Sequence, residues 1–459
     1  MISVERMLIM SEYAILKIRN LDLYEFRNYL QSDIVRLFFT RKDYTCIPQH
    51  YDDPSDEDAE PYTQHIYKTT VERAKQRLDA LGYSIKNFEK IFERTVHEAL
   101  YYDSFLSHLH VDYSLFEEKA NVRIEKYVSF KKWQNSISKI IKYELENGSI
   151  WSHSNETLND VGITTECDKV IYYSLKDDYR KSFYGIDPDV IQLAFIFRLI
   201  LENCAPSDKI ELDFSNFDGW AENSIPLAIA ATEIEEKIIV LVEGTSDKSI
   251  LEFALEEMYP HLSDLFYFMD YTDEKGNKNK REGGTSFLIK SMDLFFFSRL
   301  KAKFIAIFDN DAEGYRSKCA LENKRNWPDN FRILQYPNDL LFRSYPTILP
   351  NGTICNDDIT KKACSIELYL PDSIIQENGT YYPIEWESRL KINNKGKDEY
   401  KYQGVISQKD SIKRNVFDLI NRIKTKRYSF EESEWSRIKL ILETIVFAFS
   451  VESSSTTQE

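Results

Sequence analysis

Two short, unbroken apolar runs, each ending on carboxylates, constrain this chain more than any other feature. Lys237-Ile238-Ile239-Val240-Leu241-Val242 leads into Glu243-Gly244-Thr245-Ser246-Asp247, and Phe304-Ile305-Ala306-Ile307-Phe308 leads into Asp309-Asn310-Asp311. A short apolar run with no polar alternation reads as a strand buried on both faces, as in a parallel sheet covered by helices. After the first run, Ile250, Leu251, Ala254, Leu255 and Met258 repeat at helical spacing behind Ser246-Asp247, a plausible cap. Strand followed by helix places Glu243, Asp247, Asp309 and Asp311 at the carboxyl edge of a sheet, where open α/β sheets put their chemistry. Carboxylates converging there repel one another unless a hard cation sits among them. Mg²⁺, or Mn²⁺ in its place, prefers such oxygen ligands and keeps waters for a substrate phosphate. Glu313, just beyond, is expected to open the next helix.

The bulk numbers narrow the class. A chain of 459 residues with 42% hydrophobic content predicts two to four domains with real cores. No run approaches the roughly 18 apolar residues that a membrane span needs, and the first ten residues are too short and charged for a secretory signal. Met10 is a candidate start. The six cysteines are scattered without a CxxC pair, which argues against a disulfide framework or a zinc ribbon and for a reducing cytoplasm. Net charge is −16, yet residues 389–427 hold twelve Lys or Arg against four Asp or Glu. That patch, with Lys413 and Arg414 in it, is expected to follow a nucleic-acid backbone. No GxxxxGK[ST] motif is present, so an ATP-driven switch would belong to another protein.

Along the chain, Tyr13 to Ile18 alternates as a half-exposed strand should. The acidic stretch 52–60 reads as a solvated insertion. Thr69 and Glu72 offer a capping box for a helix through Ala74, Leu78 and Leu81 that stops at Gly82. A second helix begins near Lys86 with Phe88, Ile91, Phe92, Val96 and Leu100 on its apolar face. His108 and His110 alternate as ligands might, but without a third ligand they read as surface or packing residues. Phe331 to Tyr336 is expected to be a fourth sheet strand.

The EGxxD and DxD turns, each after a strand and in that order, resemble a Toprim domain, the metal-binding unit of topoisomerases, bacterial primases and several nucleases. Leu265-Phe266-Tyr267-Phe268-Met269 is similar to its middle strand, and Gly283-Gly284-Thr285-Ser286 to the turn before its second helix. The opening MSEYAILKI, the link through Leu37-Phe38-Phe39, the segment Tyr67 to Tyr83 and the stretch Arg198 to Pro206 with Leu212-Asp213-Phe214 resemble the N-terminal domain of HEPN/Toprim-associated bacterial proteins. That resemblance implies a bacterial anti-phage effector, fused here to the Toprim version, with a partner protein or phage product as trigger. A HEPN nuclease needs an arginine and a histidine four to six residues apart. Arg94-Thr95-Val96-His97 is too tightly spaced.

The segment Ile366-Glu367-Leu368-Tyr369-Leu370 resembles the overcoming-lysogenization-defect nucleases, in which a late acid helps hold a second cation and a downstream lysine neutralises charge on the phosphate. The resemblance implies those roles for Glu367 and, by position, for Lys409, with Lys413 behind it. The expected fold is α/β: a Rossmann-like Toprim core with a mainly parallel sheet flanked by helices at 233–345, and an α+β N-terminal domain at 1–85. A helical middle region at 86–232 and a basic, largely helical C-terminal extension at 346–459 complete it. The expected function is hydrolysis of phosphodiesters in DNA or RNA with two cations. Asp309, Asp311 and Asp247 would hold the first, and Glu243 would ligate it or act as general base. Strand passage as in topoisomerases, and a non-catalytic sensor of metal and nucleic acid, are the alternatives. Homodimerisation is compatible with the chain.

Overall fold

A computed structural model of the chain describes residues 12–49, 62–92, 129–148, 160–165, 168, 190–218, 223–234, 236–270 and 284–450. The stretch 52–60, Arg94 to His97, Leu100, His108, His110 and Gly283 lie outside the described residues. The chain divides into two compact units, Met1–Glu233 and Ile234–Phe449, apart from a few residues at its end. Among the described residues, no helix is long and apolar enough to cross a membrane.

The first unit is built on an antiparallel sheet. Strands β1 (Tyr13–Ile18), β2 (Leu21–Arg27), β3 (Tyr44–Gln49), β4 (Tyr62–Thr70) and β5 (Lys209–Asp213) pair in the order β2-β1-β5-β4-β3. Ala14, Leu16 and Ile18 of β1 point into the core while the residues between them face out, as the period of two requires. Helices α1 (Ser32–Phe38), α2 (Val71–Ala80), α3 (Phe130–Asn147), α4 (Val190–Leu201) and α5 (Ser224–Ala230) belong to the same unit. Buried side chains of the sheet and the helices, among them Leu16, Phe38, Leu78, Ile137, Phe197, Leu212 and Ala228, form one hydrophobic cluster. Helix α4 is apolar almost all round, which fits a central position. Its one charged residue, Arg198, is 7% exposed and bonds Asp79 at 2.7 and 3.2 Å and also Glu202.

Two expectations change here. The boundary at 85 is not a boundary of the unit: β5 comes from the supposed helical middle region and lies between β1 and β4, so the sheet cannot close without it. The cap of α2 is Thr70, whose side chain accepts from the Arg73 amide at 3.3 Å. Thr69 belongs to β4, and its buried hydroxyl makes no hydrogen bond. The helix stops before Gly82, whose φ of 93° only glycine adopts freely.

The second unit opens with β6 (Ile238–Leu241), α6 (Thr245–Met258), β7 (Phe266–Met269), α7 (Thr285–Phe297), β8 (Phe304–Phe308), β9 (Asn310–Asp311), α8 (Ala312–Glu322) and β10 (Phe331–Gln335). Strands β10-β8-β6-β7 form a parallel sheet in that order. Every residue of β8 is buried, as an unbroken apolar run in a covered sheet should be. The chain leaves β6 for β7 on one side and comes back to place β8 on the other. The crevice beyond the carboxyl ends of β6 and β8 is therefore the switch point of the topology.

A second layer follows: β11 (Tyr345–Ile348), β12 (Ile354–Asp357), β13 (Ala363–Cys364), α9 (Asp372–Ile375), β14 (Gln376–Glu377), β15 (Thr380–Tyr381), β16 (Ile384–Asn394), β17 (Lys397–Ile406), α10 (Lys409–Lys424) and α11 (Ser436–Val446). The expected largely helical extension is thus half sheet. Strands β12-β11-β16-β17 form a mixed sheet whose long β16–β17 hairpin occupies 384–406, and among the described residues only α10 and α11 are helices longer than one turn. Lys395 and Gly396, with φ of 49° and 81°, form its two-residue turn, which twists the right way for a hairpin. Ile392 packs against Tyr315 and Cys319 of α8, and the Asn394 amide donates to the Tyr315 hydroxyl at 3.0 Å. Helix α10 turns Ile412, Val416, Leu419, Ile420 and Ile423 inward, one apolar face at helical spacing.

Candidate active site

The crevice beyond β6 and β8 collects acids from three chain segments. Glu243 follows β6, and its Oε1 accepts the Asp309 amide at 3.0 Å, which joins the two strand ends directly. Asp247, in the first turn of α6, is 6% exposed and accepts from the Tyr336 hydroxyl at 3.1 Å. Asp311 caps α8: its Oδ1 accepts the Gly314 amide at 2.7 Å and its Oδ2 accepts from Gln403 of β17 at 2.8 Å. Glu313 starts α8, as expected, and its amide donates to the same Gln403 side chain at 2.9 Å. Asp309 sits between them, and its buried Oδ1 has no hydrogen-bond partner.

Glu367 arrives by a different route. Strand β13 pairs antiparallel with β9, Ala363 opposite Asp311 and Cys364 opposite Asn310, which brings the turn Ile366–Tyr369 to the crevice. The Glu367 side chain is 2% exposed. Its Oε2 accepts from Ser365 at 2.5 Å and lies 3.5 Å from the Lys409 ammonium, and its Oε1 lies 3.4 Å from Lys413. Both lysines come from the first turns of α10. Arg414 is not drawn in: it is exposed and bonds Ser411 at 3.2 Å.

The electrostatics divide the acids into two kinds. Burial, then the Asp311 charge, pushes Glu243 up to about 8. Burial, then Glu367, pushes Asp247 up to about 6. Asp309 rises well above the usual carboxylate range through burial and the charges of Glu243, Asp247 and Asp311. Burial also raises Asp311, against the pull of the Gly314 amide and Gln403. Glu367 goes the other way: burial opposes its charge, but Lys409, Ser365 and Lys413 outweigh it and hold it below the usual range. Burial works against the Lys409 ammonium, and Glu367, Asp309 and Asp247 more than restore it.

Among the described residues, no three His, Cys, Asp or Glu side chains stand gathered on one point as a metal would need. Several of these oxygens are instead turned onto protein donors. The set nonetheless fits a hard cation. It consists of carboxylate oxygens, four of its acids are driven toward the neutral form by burial and mutual repulsion, and one Asp309 oxygen is buried without a donor. Gly314 shows how tightly the turn is built: a Cβ there would lie 2.3 Å from the Asp309 carbonyl oxygen.

Three participants were not foreseen from the sequence: Tyr336, Gln403 and Asn310. Asn310 is 1% exposed, donates to Asn338 at 2.9 Å and accepts the Lys361 amide at 3.1 Å, pinning the turn between the two aspartates. Its place inside the DxD motif was the available signal. Tyr336, directly after β10, had strand position as a signal, and Gln403 had none.

Residues 10–237 match the family model of HEPN/Toprim N-terminal domain 1. The first half of this chain is a HEPN/Toprim N-terminal domain. The matched span of the HEPN/Toprim N-terminal domain runs past residue 85, in keeping with the place of β5 in its sheet, and ends before Glu243. Searches of curated proteins and of solved structures found no match to the chain.

Proposed function

We propose that the second unit is a Toprim-type nuclease that hydrolyses phosphodiester bonds in nucleic acid with divalent cations, Mg²⁺ or Mn²⁺, at the crevice beyond β6 and β8. The observation that carries this reading is Asp309, a buried carboxylate with a donorless oxygen among acids raised by one another's charge. Buried charge without partners is costly, and proteins keep it where function uses it. Asp309, Asp311, Asp247 and Glu243 are the residues to hold one cation, and Glu367 the residue to share a second. Bound there, Mg²⁺ would supply positive charge to phosphate oxygens and a more acidic water.

The chain's own groups do the rest. The Glu243 carboxylate takes the proton of the attacking water as the new P–O bond forms and the ester P–O bond breaks. The Lys409 ammonium, kept protonated by Glu367, neutralises charge gathering on the phosphate, and Lys413 stands behind it. The HEPN/Toprim N-terminal domain supports a nuclease-associated role. Within this reading the chain acts in the bacterial cytoplasm as an anti-phage effector, held in check by a partner protein or released by a phage product.

The test is incubation of the purified chain with Mg²⁺ or Mn²⁺ against plasmid, linear DNA and total RNA, with Glu243→Ala and Asp309→Ala in parallel. Metal-dependent cleavage absent from both variants is expected. Cleavage that survives either substitution, or that needs no metal, defeats the proposal.

A further inference from the structure

The β16–β17 hairpin carries an aromatic and cationic ladder that the acidic crevice does not use. In its register Arg389 faces Tyr402 and Lys391 faces Tyr400, so these four side chains share one face, with Trp386 beside Tyr402. Tyr400 and Tyr402 are 56% and 55% exposed, unusual for rings this large. The Arg389 guanidinium lies over both, 4.8 Å from the Tyr400 centroid and 5.9 Å from that of Tyr402, and the Trp386 and Tyr402 rings are 6.1 Å apart. Lys395 lies in the turn itself, and Asp398 is an acid on the ring face, paired with Lys391 at 2.6 Å.

We infer that this face is a docking platform for single-stranded nucleic acid, with bases stacked on Tyr400 and Tyr402 and the phosphates along Arg389 and Lys391. Three observations lead there. The face carries Arg389 and Lys391 against one acid, Asp398, on a chain of net charge −16, a local cationic excess that suits phosphate. Exposed aromatic rings interleaved with cations are the arrangement that holds bases by their faces, whatever their sequence. Alternate residues of a strand stand about 6.8 Å apart, twice the rise between stacked bases, so bases resting on both rings must be splayed, which a duplex forbids.

The opposite face of the same strand reaches the crevice. Gln403, next to Tyr402 in the chain, bonds Asp311 at 2.8 Å and the Glu313 amide at 2.9 Å. Strand β17 thus carries the rings on one side and steadies a site carboxylate on the other. The inference rests on the nuclease reading only in expecting the docked strand to be the one that is cut.

The experiment is fluorescence anisotropy on the full chain in EDTA, which prevents cleavage, with labelled oligo(dT), oligo(rU) and a DNA duplex. The wild type should bind single strands more tightly than duplex, and the tighter of the two oligomers separates DNA from RNA as the source. The double variant Tyr400→Ala/Tyr402→Ala should bind single strands at least about tenfold more weakly. Tyr400→Phe/Tyr402→Phe, which keeps the rings, should stay near the wild type, and circular dichroism should show both folded. The platform is overturned if the alanine variant binds like the wild type, if the phenylalanine variant is as weak as the alanine one, or if duplex is preferred. Asp309→Ala separates the two readings: metal-dependent cleavage with Tyr-independent binding removes the platform alone. Tyr-dependent binding with no cleavage on any substrate removes the nuclease alone.

Discussion

Asp168 in the first unit and Asp309 in the second are buried in opposite ways. In the first, Asp168 is 3% exposed but accepts from Ser136 at 2.6 Å, Lys139 at 2.6 Å and the Thr164 and Thr165 amides at 3.2 and 2.9 Å. Burial alone would raise it, and those donors bring it below the usual range instead. In the second, Asp309 has neighbours of its own sign and rises. Arg198 with Asp79 and Glu202 repeats the first pattern, and Glu243 with Asp247 and Asp311 repeats the second. Asp168 and Arg198, paired on every side, belong to the architecture. A buried charge left facing its own kind is what the proposed cation would relieve.

That contrast can be tested from its largest effect downward. Asp309→Ala should lower turnover on the order of 10³-fold while the thermal midpoint of the metal-free protein stays or rises, measured by cleavage rate and calorimetry. A lost fold would place Asp309 with the architectural acids. Lys409→Ala should cost about 10²-fold in rate at saturating Mg²⁺, and stability should change little because the lysine is partly solvated. Arg198→Met should do the reverse, destabilising by about 3 kcal/mol because it strands Asp79 while Lys75 still holds Glu202, with cleavage per folded molecule unchanged. Unfolding followed by denaturant titration would check it.

Dependence on pH should also separate the units. The folded Glu243 and Asp247 sit above their ordinary values, so their contribution is full below about 4 and is lost as pH rises through about 6 and about 8. Without metal, the second unit should melt at lower temperature at pH 8 than at pH 5, and Mg²⁺ should raise its midpoint more at pH 8. Asp168, held low, keeps its contribution across that range and gives it up only in strong acid. A metal-free midpoint that rises from pH 5 to 8 in the second unit would contradict the raised acids. The smallest effect belongs to Gln403→Ala, which removes one donor to Asp311 and should cost about 1 kcal/mol, roughly fivefold in rate.

What the sequence made readable was local. The runs into β6 and β8 and the acids behind them were visible because a buried strand and its exit turn lie within a few residues. Glu367 was visible through resemblance alone, since β13 reaches the crevice by pairing with β9, a contact no nearby residue announces. Gln403 acts across 92 positions and Tyr336 across 89, and such pairs leave no periodic trace. The hairpin lies in an extension expected to be largely helical, although charges at Glu385, Glu387, Arg389, Lys391, Lys397, Glu399 and Lys401 alternate with Trp386, Leu390, Ile392, Tyr400 and Tyr402 as strands do. The Lys395-Gly396 turn was the overlooked clue. In the first unit, Thr69 was a plausible cap by spacing, but the pairing of β4 with β5 kept it in the strand and passed the role to Thr70.

Chain order adds a consequence for synthesis. The acids appear at 243, 247, 309, 311 and 367, and the two lysines that compensate the last of them follow at 409 and 413 on α10. A ribosome therefore makes every part of the crevice before it makes the helix that completes it. A message broken just upstream of α10 yields a polypeptide whose Glu367 lacks both lysines. Under the nuclease proposal, incomplete translation products would lack the groups that complete the site.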